Sequence, residues 1–302
     1  MKAELLDHYL KTSTYTYAGE YQNYFKSLPD DIPELAHLVC SQVIHRVTLK
    51  EGNANANKGL LYGDMTRFPW HRMRCEDDIL HTAVSMTAEL FRLDERGFIP
   101  DRPVESKIVV TCRYVSVLMS AILKTKGIPC RSRSGFAPYL QEGLSLDHWI
   151  NQYWDKKQEK WITFDADFFG DDSLGFNQYD MPLDTIDWAG DTWLNIRENK
   201  ADGTVLLWAG GEHSLKAAIR AICYDFHALM NNEISYLFQP AYMAGKFEAL
   251  TEDDLMEIDN LARLLVKNDD NFDELSVIWN TNRKFRKLNS PLVGDSDHIK
   301  VR

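Results

Sequence analysis

The hydrophobic period changes repeatedly through the middle of this chain, and that constrains the fold more than any other feature. Ile108-Val109-Val110 reads as a strand leading into a helix, where Val115, Leu118, Met119, Ile122 and Leu123 recur at helical spacing. Gly127 and Pro129 supply a stop signal. Arg131 to Ala137, His148 to Trp154 and Trp161 to Asp165 then read as strands, the last two joined by the polar turn Asp155-Lys156-Lys157-Gln158-Glu159.

Helical patterns flank this middle section. Asp31 is placed to cap a helix with Pro33 in its first turn and Leu35, Leu38, Val39 and Val43 on one stripe. A second helix is expected from about Asp77 to Arg92, with Ile79, Ala83, Met86 and Leu90 inward, and residues 52–59 read as a loop. On the other side, Ser214 is expected to cap a helix burying Leu215, Ala218, Ile219, Ile222, Cys223 and Phe226. Thr251 and Asp254 form a capping-box pattern ahead of Leu255, Ile258, Leu261, Ala262 and Leu265. The tail from about Ser290 is polar and is expected to be poorly ordered. The expected organisation is one domain over 1–302, with a helical flank over 1–100, a core over 101–200 and a second helical flank over 201–302.

Composition narrows the partners. A net charge of −11, with no basic stripe to offset it, argues against nucleic acid. No apolar run is long enough for a membrane span, and the N-terminus has no apolar signal region, so a cytoplasmic protein is expected. The five cysteines are scattered without a CxxC pair, so neither a disulfide framework nor a metal site is expected.

Cys112 is the residue that carries chemistry. With Thr111 as N-cap it falls in the first helical turn, where the helix dipole and unpaired backbone N–H groups favour a thiolate and could hold an oxyanion. A purely structural cysteine belongs on the apolar stripe, as Cys223 does, and a small buried hydrophobe is the ordinary role of a free cysteine. Downstream, if Trp154 pairs with Trp161, Gln152 faces Thr163, Ile150 faces Asp165 and His148 faces Asp167. His148 and Asp165 are then diagonal neighbours on one face, about 7–8 Å apart, and a register shifted by two puts them opposite. Asp167 competes on the same face. A thiol, an imidazole and a carboxylate in this order are the parts of an activated nucleophile, which points to acyl transfer.

These residues resemble a known family. Cys112-Arg113-Tyr114 opening a helix, Gly127-Ile128-Pro129-Cys130-Arg131-Ser132-Arg133-Ser134-Gly135-Phe136, Asp147-His148-Trp149-Ile150, and Trp161 with Asp165 are together similar to the transglutaminase-like superfamily. The closest likeness is to a bacterial transglutaminase-domain subgroup with helical flanks, and the matching run spans about residues 106–168, about a fifth of the chain. The resemblance implies an α+β fold with a papain-like core, in which the cysteine helix packs on an antiparallel sheet. It implies Cys112 as nucleophile, His148 as base and then acid, and Asp165, four residues after Trp161, as orienter in preference to Asp167. It also implies a peptide, protein or small amide substrate and no cofactor. One departure is Cys130, where the family often has alanine, which puts a second thiol near the site.

Weaker signals complete the reading. Trp149, Arg131 and Arg133 are the candidate substrate-binding residues, although core packing accounts for Trp149 at least as well and ion pairing accounts for the two arginines better. Asp165, Asp167, Asp171 and Asp172 around Gly170 suggest a calcium loop only faintly, because Phe169 stands where an oxygen ligand is needed. The expected function is cysteine-dependent acyl transfer, by an amidohydrolase or a transferase. The alternative is a non-catalytic module that uses the same groove to bind a peptide or partner.

Overall fold

A computed structural model describes residues 2–46, 62–72, 76, 79–167, 174–208, 210–244, 247–286 and 288–289. The expected loop at 52–59, residues 168–173 with Asp171 and Asp172 of the calcium-like segment, and the tail from Ser290 lie outside the described residues. The chain forms two compact units: an N-terminal unit of Leu6–Arg131 with Ile150–Met181, and a C-terminal unit of Met1–Leu5, Ser132–Trp149 and Pro182–Arg302.

The chain opens on α1 (Ala3–Leu10), which passes from one unit into the other. In the N-terminal unit, α2 (Gln22–Ser27) precedes α3 (Ile32–Cys40). Asp31 caps α3 as expected, its carboxylate accepting the Glu34 N–H at 3.0 Å. Val43 leaves the predicted stripe, because the helix ends at Cys40 and β1 (Val43–His45) begins. The next helix, α4 (Ala83–Leu93), starts later than the spacing predicts. Thr82 and Ser85 form a reciprocal capping box that fixes its first turn, so Ile79 lies ahead of the helix, 72% exposed, while Ala83, Met86 and Leu90 are buried.

β2 (Ile108–Val110) pairs in parallel with β1, in the register Val43↔Ile108, Ile44↔Val109 and His45↔Val110. It runs into α5 (Cys112–Thr125). This helix is buried on nearly every side rather than along one stripe. Its polar face is covered because it bonds a strand. Ser116 Oγ donates to the Ile150 carbonyl at 3.2 Å, and Asn151 Nδ2 donates to the Ser116 carbonyl at 3.0 Å and to Ser120 Oγ at 2.9 Å. Buried polar groups satisfied in this way do not oppose burial. The apolar face joins a core that includes Leu35, Val39, Met86, Leu90, Leu118, Ile122 and Phe164.

β3 (Cys130–Gln141) and β4 (Leu144–Asp155) each run through both units, and β5 (Lys160–Phe164) belongs to the N-terminal unit. The β4–β5 hairpin adopts the expected antiparallel register, with Trp154 opposite Trp161 and Gln152 opposite Thr163. Gln152 Nε2 donates to Thr163 Oγ1 at 2.9 Å, as directly opposed residues can. The fold is therefore α+β, with the cysteine-bearing helix packed on antiparallel strands.

In the C-terminal unit, β6 (Asp187–Trp188) pairs with β3, Gly135 lying opposite Trp188. A Cβ at Gly135 would stand 2.8 Å from the Asp187 carbonyl oxygen, so the strands approach this closely only because residue 135 is glycine. β7 (Leu206–Leu207) runs parallel to the start of β4. α6 (Ala189–Arg197), α7 (Ser214–Leu229), α8 (Ala241–Ala244), α9 (Glu252–Val266), α10 (Phe272–Thr281) and α11 (Arg283–Arg286) also belong to this unit. The last strands, β8 (Gln239–Pro240) and β9 (Leu288–Asn289), pair with each other. The Thr251–Asp254 capping box forms as expected. Ser214 is the first residue of α7 rather than its cap, with φ of 54°. Among the described residues no helix is long and apolar enough to cross a membrane.

His227 on α7 carries a pH-dependent contribution to stability. It is fully buried, its Nε2–H donates to the Phe285 carbonyl at 2.7 Å, and its Nδ1 accepts from Asn232 Nδ2 at 2.9 Å. Both bonds suit the neutral ring, and burial holds its pKa down at about 4 against an ordinary 6.5. Because the folded value is the lower one, the unfolded chain takes up the proton first. Stability is full above about 6.5 and falls as pH drops through about 4. Urea midpoints measured across that window should decline in the wild type and decline less in His227→Gln. Equal slopes would remove His227 as the cause.

Candidate active site

The apolar run of β2 ends at Thr111, whose backbone is extended (φ −115°, ψ 177°), and Cys112 is the first residue of α5. Thr111 occupies the cap position as expected, but its hydroxyl makes no capping bond. Instead its backbone carbonyl accepts the Tyr114 N–H at 2.9 Å. The Cys112 N–H, one of the donors a helix start leaves over, donates to His45 Nε2 at 3.2 Å. Cys112 is 4% exposed.

The β1–β2 register brings His45 to this point by setting it opposite Val110, two residues before Cys112. His45 Nε2 stands 3.3 Å from Asp167 Oδ2. Nε2 or Nδ1 of His45, Sγ of Cys112 and a carboxylate oxygen of Asp167 all lie within 4.8 Å of one another. Sequence reasoning missed His45. A three-residue strand carries no periodic signal, and its parallel partner lies far along the chain.

Asp165 also belongs to the N-terminal unit, just past the end of β5, and is 1% exposed. Its N–H donates to the Gln178 carbonyl at 2.9 Å, and its Oδ1 accepts the Asp167 N–H at 2.9 Å. Two acidic side chains therefore share one short segment. Their charge reaches Cys40, whose thiol is pushed well above the ordinary range by burial and then by Asp167 and Asp165. Burial likewise pushes the Cys223 thiol up to about 12. Cys130 is fully buried on the helix–strand face, its sulfur 3.6 Å from Ser120 Oγ and 3.9 Å from Asn151 Nδ2.

Arg131 ends the first segment of the N-terminal unit. Its Nε donates to Gln152 Oε1 at 2.8 Å, and its guanidinium lies 4.2 Å from the Trp161 ring centroid and 5.0 Å from that of Tyr9. His148, Trp149 and Arg133 belong to the C-terminal unit. His148 is 6% exposed, its ring perpendicular to that of Tyr139 at 6.3 Å. Trp149, on the other face of β4, is buried with its ring centroid 6.0 Å from that of Tyr224. Arg133 makes a two-pronged ion pair with Asp225, Nε to Oδ1 at 2.8 Å and Nη2 to Oδ2 at 2.9 Å. Thus Cys112 and Asp165 fall in one unit and His148 in the other.

Comparison with known proteins agrees with the core. Residues 102–166 match the sequence profile of the transglutaminase-like superfamily. No curated protein matches the chain in sequence at a significant level. Among solved structures the chain is similar to a proposed cysteine protease from Cytophaga hutchinsonii. The two share 14% identity, with 62% of this chain and 46% of that chain covered and a TM-score of 0.35. The chain thus spans less than half of that protein's length, and the score lies below the level that marks a shared fold. The profile match begins just ahead of β2 and ends just past β5, so the likeness to the transglutaminase-like superfamily takes in the helix that Cys112 opens and the hairpin that follows it.

Proposed function

We propose that the protein catalyses cysteine-dependent acyl transfer on amide or peptide substrates, with Cys112 as the nucleophile. The observation that supports this reading most is the position of Cys112 on the first residue of a buried 14-residue helix. The imidazole and carboxylate close to its sulfur are those of His45 and Asp167, which makes them the rivals to His148 and Asp165 for the roles below. A helix start stabilises a negative sulfur through its dipole and unpaired N–H groups.

In this mechanism the Cys112 thiolate attacks the carbonyl carbon. His148, protonated, gives its proton to the leaving amine as the C–N bond breaks, and a thioester remains. His148 then takes a proton from water or from a second amine, which attacks the thioester and releases the thiolate. Asp165 orients the imidazole. Water as acceptor gives a hydrolase, and an amine gives a transferase.

The test is thiol reactivity. Limited iodoacetamide treatment at neutral pH, read by peptide mass spectrometry, should label Cys112 well before Cys40 and Cys130. Burial and two nearby carboxylates keep Cys40 protonated, so it is an internal reference. Cys112 labelling no faster than Cys40 would end the activated-nucleophile reading and leave a binding module on the same core.

A further inference from the structure

We infer that Cys112, His45 and Asp167 form a binding site for a zinc-type divalent cation, which sequesters the Cys112 sulfur when it binds. The site does not depend on Cys112 being a catalytic nucleophile.

Geometry is the first argument. Zinc bound tetrahedrally at about 2.0–2.2 Å to nitrogen and oxygen holds those two ligands about 3.4 Å apart. His45 Nε2 and Asp167 Oδ2 are 3.3 Å apart already. The sulfur lies within 4.8 Å of both other donors, and the corresponding zinc-bound separation is about 3.6 Å. Closing that gap requires at most about 1.2 Å of movement, which rotation about the Cys112 side-chain bond can supply.

The second argument is electrostatic. Two demands fall on one nitrogen. The Cys112 N–H needs a lone pair on His45 Nε2, whereas the Asp167 carboxylate, 3.3 Å away, needs a positive charge or a proton between itself and that atom. A neutral ring with its lone pair at Nε2 is also the form that ligates metals. A cation placed there joins nitrogen to carboxylate and recruits the sulfur as well, which a proton cannot do. The metal displaces the Cys112 N–H from Nε2, and the thiol proton goes to solvent as the thiolate binds.

The third argument is charge. A thiolate and a carboxylate neutralise a divalent ion, so the loaded site carries no net charge. That suits surroundings where the Cys112 and Asp167 side chains are almost fully buried. Asp165 is buried beside Asp167, its Oδ1 accepting the Asp167 N–H, so a second acidic side chain lies next to the site. A mixed sulfur, nitrogen and oxygen donor set suits zinc, while calcium and magnesium call for oxygen alone. Three protein ligands leave a fourth position open to water.

The experiment uses the full chain, stripped with a chelator, and Co2+ as a spectroscopic probe. Cobalt should give a near-ultraviolet sulfur-to-metal charge-transfer band that one equivalent of Zn2+ abolishes. Cys112→Ser should lose the band, and Cys223→Ala should keep it. His45→Ala and Asp167→Asn should each weaken Co2+ binding by at least about tenfold, the range that losing even an outer-shell partner produces. Because Asp167→Asn preserves size, it decides the matter should His45→Ala fail to fold. Zn2+ should also protect Cys112 of the unmodified chain from iodoacetamide. A band that survives Cys112→Ser, unchanged affinity in Asp167→Asn, or no protection by Zn2+ overturns the site. None of these readouts requires acyl-transfer activity, so the site and the proposed function can fail separately.

Discussion

Cys112→Ala is expected to reduce kcat/KM on a cleavable amide to near the uncatalysed level, a loss of at least about a thousandfold. The magnitude follows from removing the atom that forms the covalent intermediate. The helix-start N–H groups and the binding surface survive the change, so substrate affinity should fall far less than turnover. His148→Ala should cost a similar factor, and the double variant little more than either alone, because residues that act as a unit are not additive. His45→Ala is the informative control. If its loss matches that of Cys112→Ala while His148→Ala stays active, His45 is the base and Asp167 its partner. Unchanged activity in Cys112→Ala would instead support a non-catalytic groove.

What the sequence disclosed, and what it hid, divides along physical lines. The β4–β5 register was legible because a short polar turn leaves little freedom over which residues oppose each other, so Trp154 opposite Trp161 followed from the hairpin itself. The position of Cys112 was legible because an apolar strand run changes to helical spacing there. The start of α4 was not, because the acidic residues upstream imitate a helix start and the Thr82–Ser85 box lacks the usual Glu or Gln. The all-round burial of α5 was hidden because Ser116 and Ser120 look like a solvent face until Ile150 and Asn151 supply their partners. His45 was hidden for the same reason: its meaning depends on the parallel pairing of two three-residue strands.

Asp225→Ala is expected to destabilise the chain by about 3–5 kcal/mol, the cost of leaving a buried charge without its partner. Asp225 is fully buried and the Arg133 side chain is 5% exposed, so neither charge has water to fall back on. The carboxylate also accepts the Ser134 N–H at 3.1 Å, so its removal leaves a backbone donor to be satisfied as well. The Trp188 ring, 4.6 Å from the guanidinium carbon, offsets only part of the loss. Arg133→Met should destabilise comparably, since it strands Asp225. The double replacement Arg133→Met with Asp225→Leu should recover most of the stability, because apolar side chains of similar size can replace a buried pair at little cost. Urea midpoints of the three variants measure this directly, and a loss below about 1 kcal/mol in Asp225→Ala would rule out the buried-charge account. The same series tests Arg133 as a substrate contact. A variant that keeps its urea midpoint but raises KM selectively for anionic substrates would assign the guanidinium to binding, whereas one that loses stability with KM unchanged would assign it to holding β3 against α7.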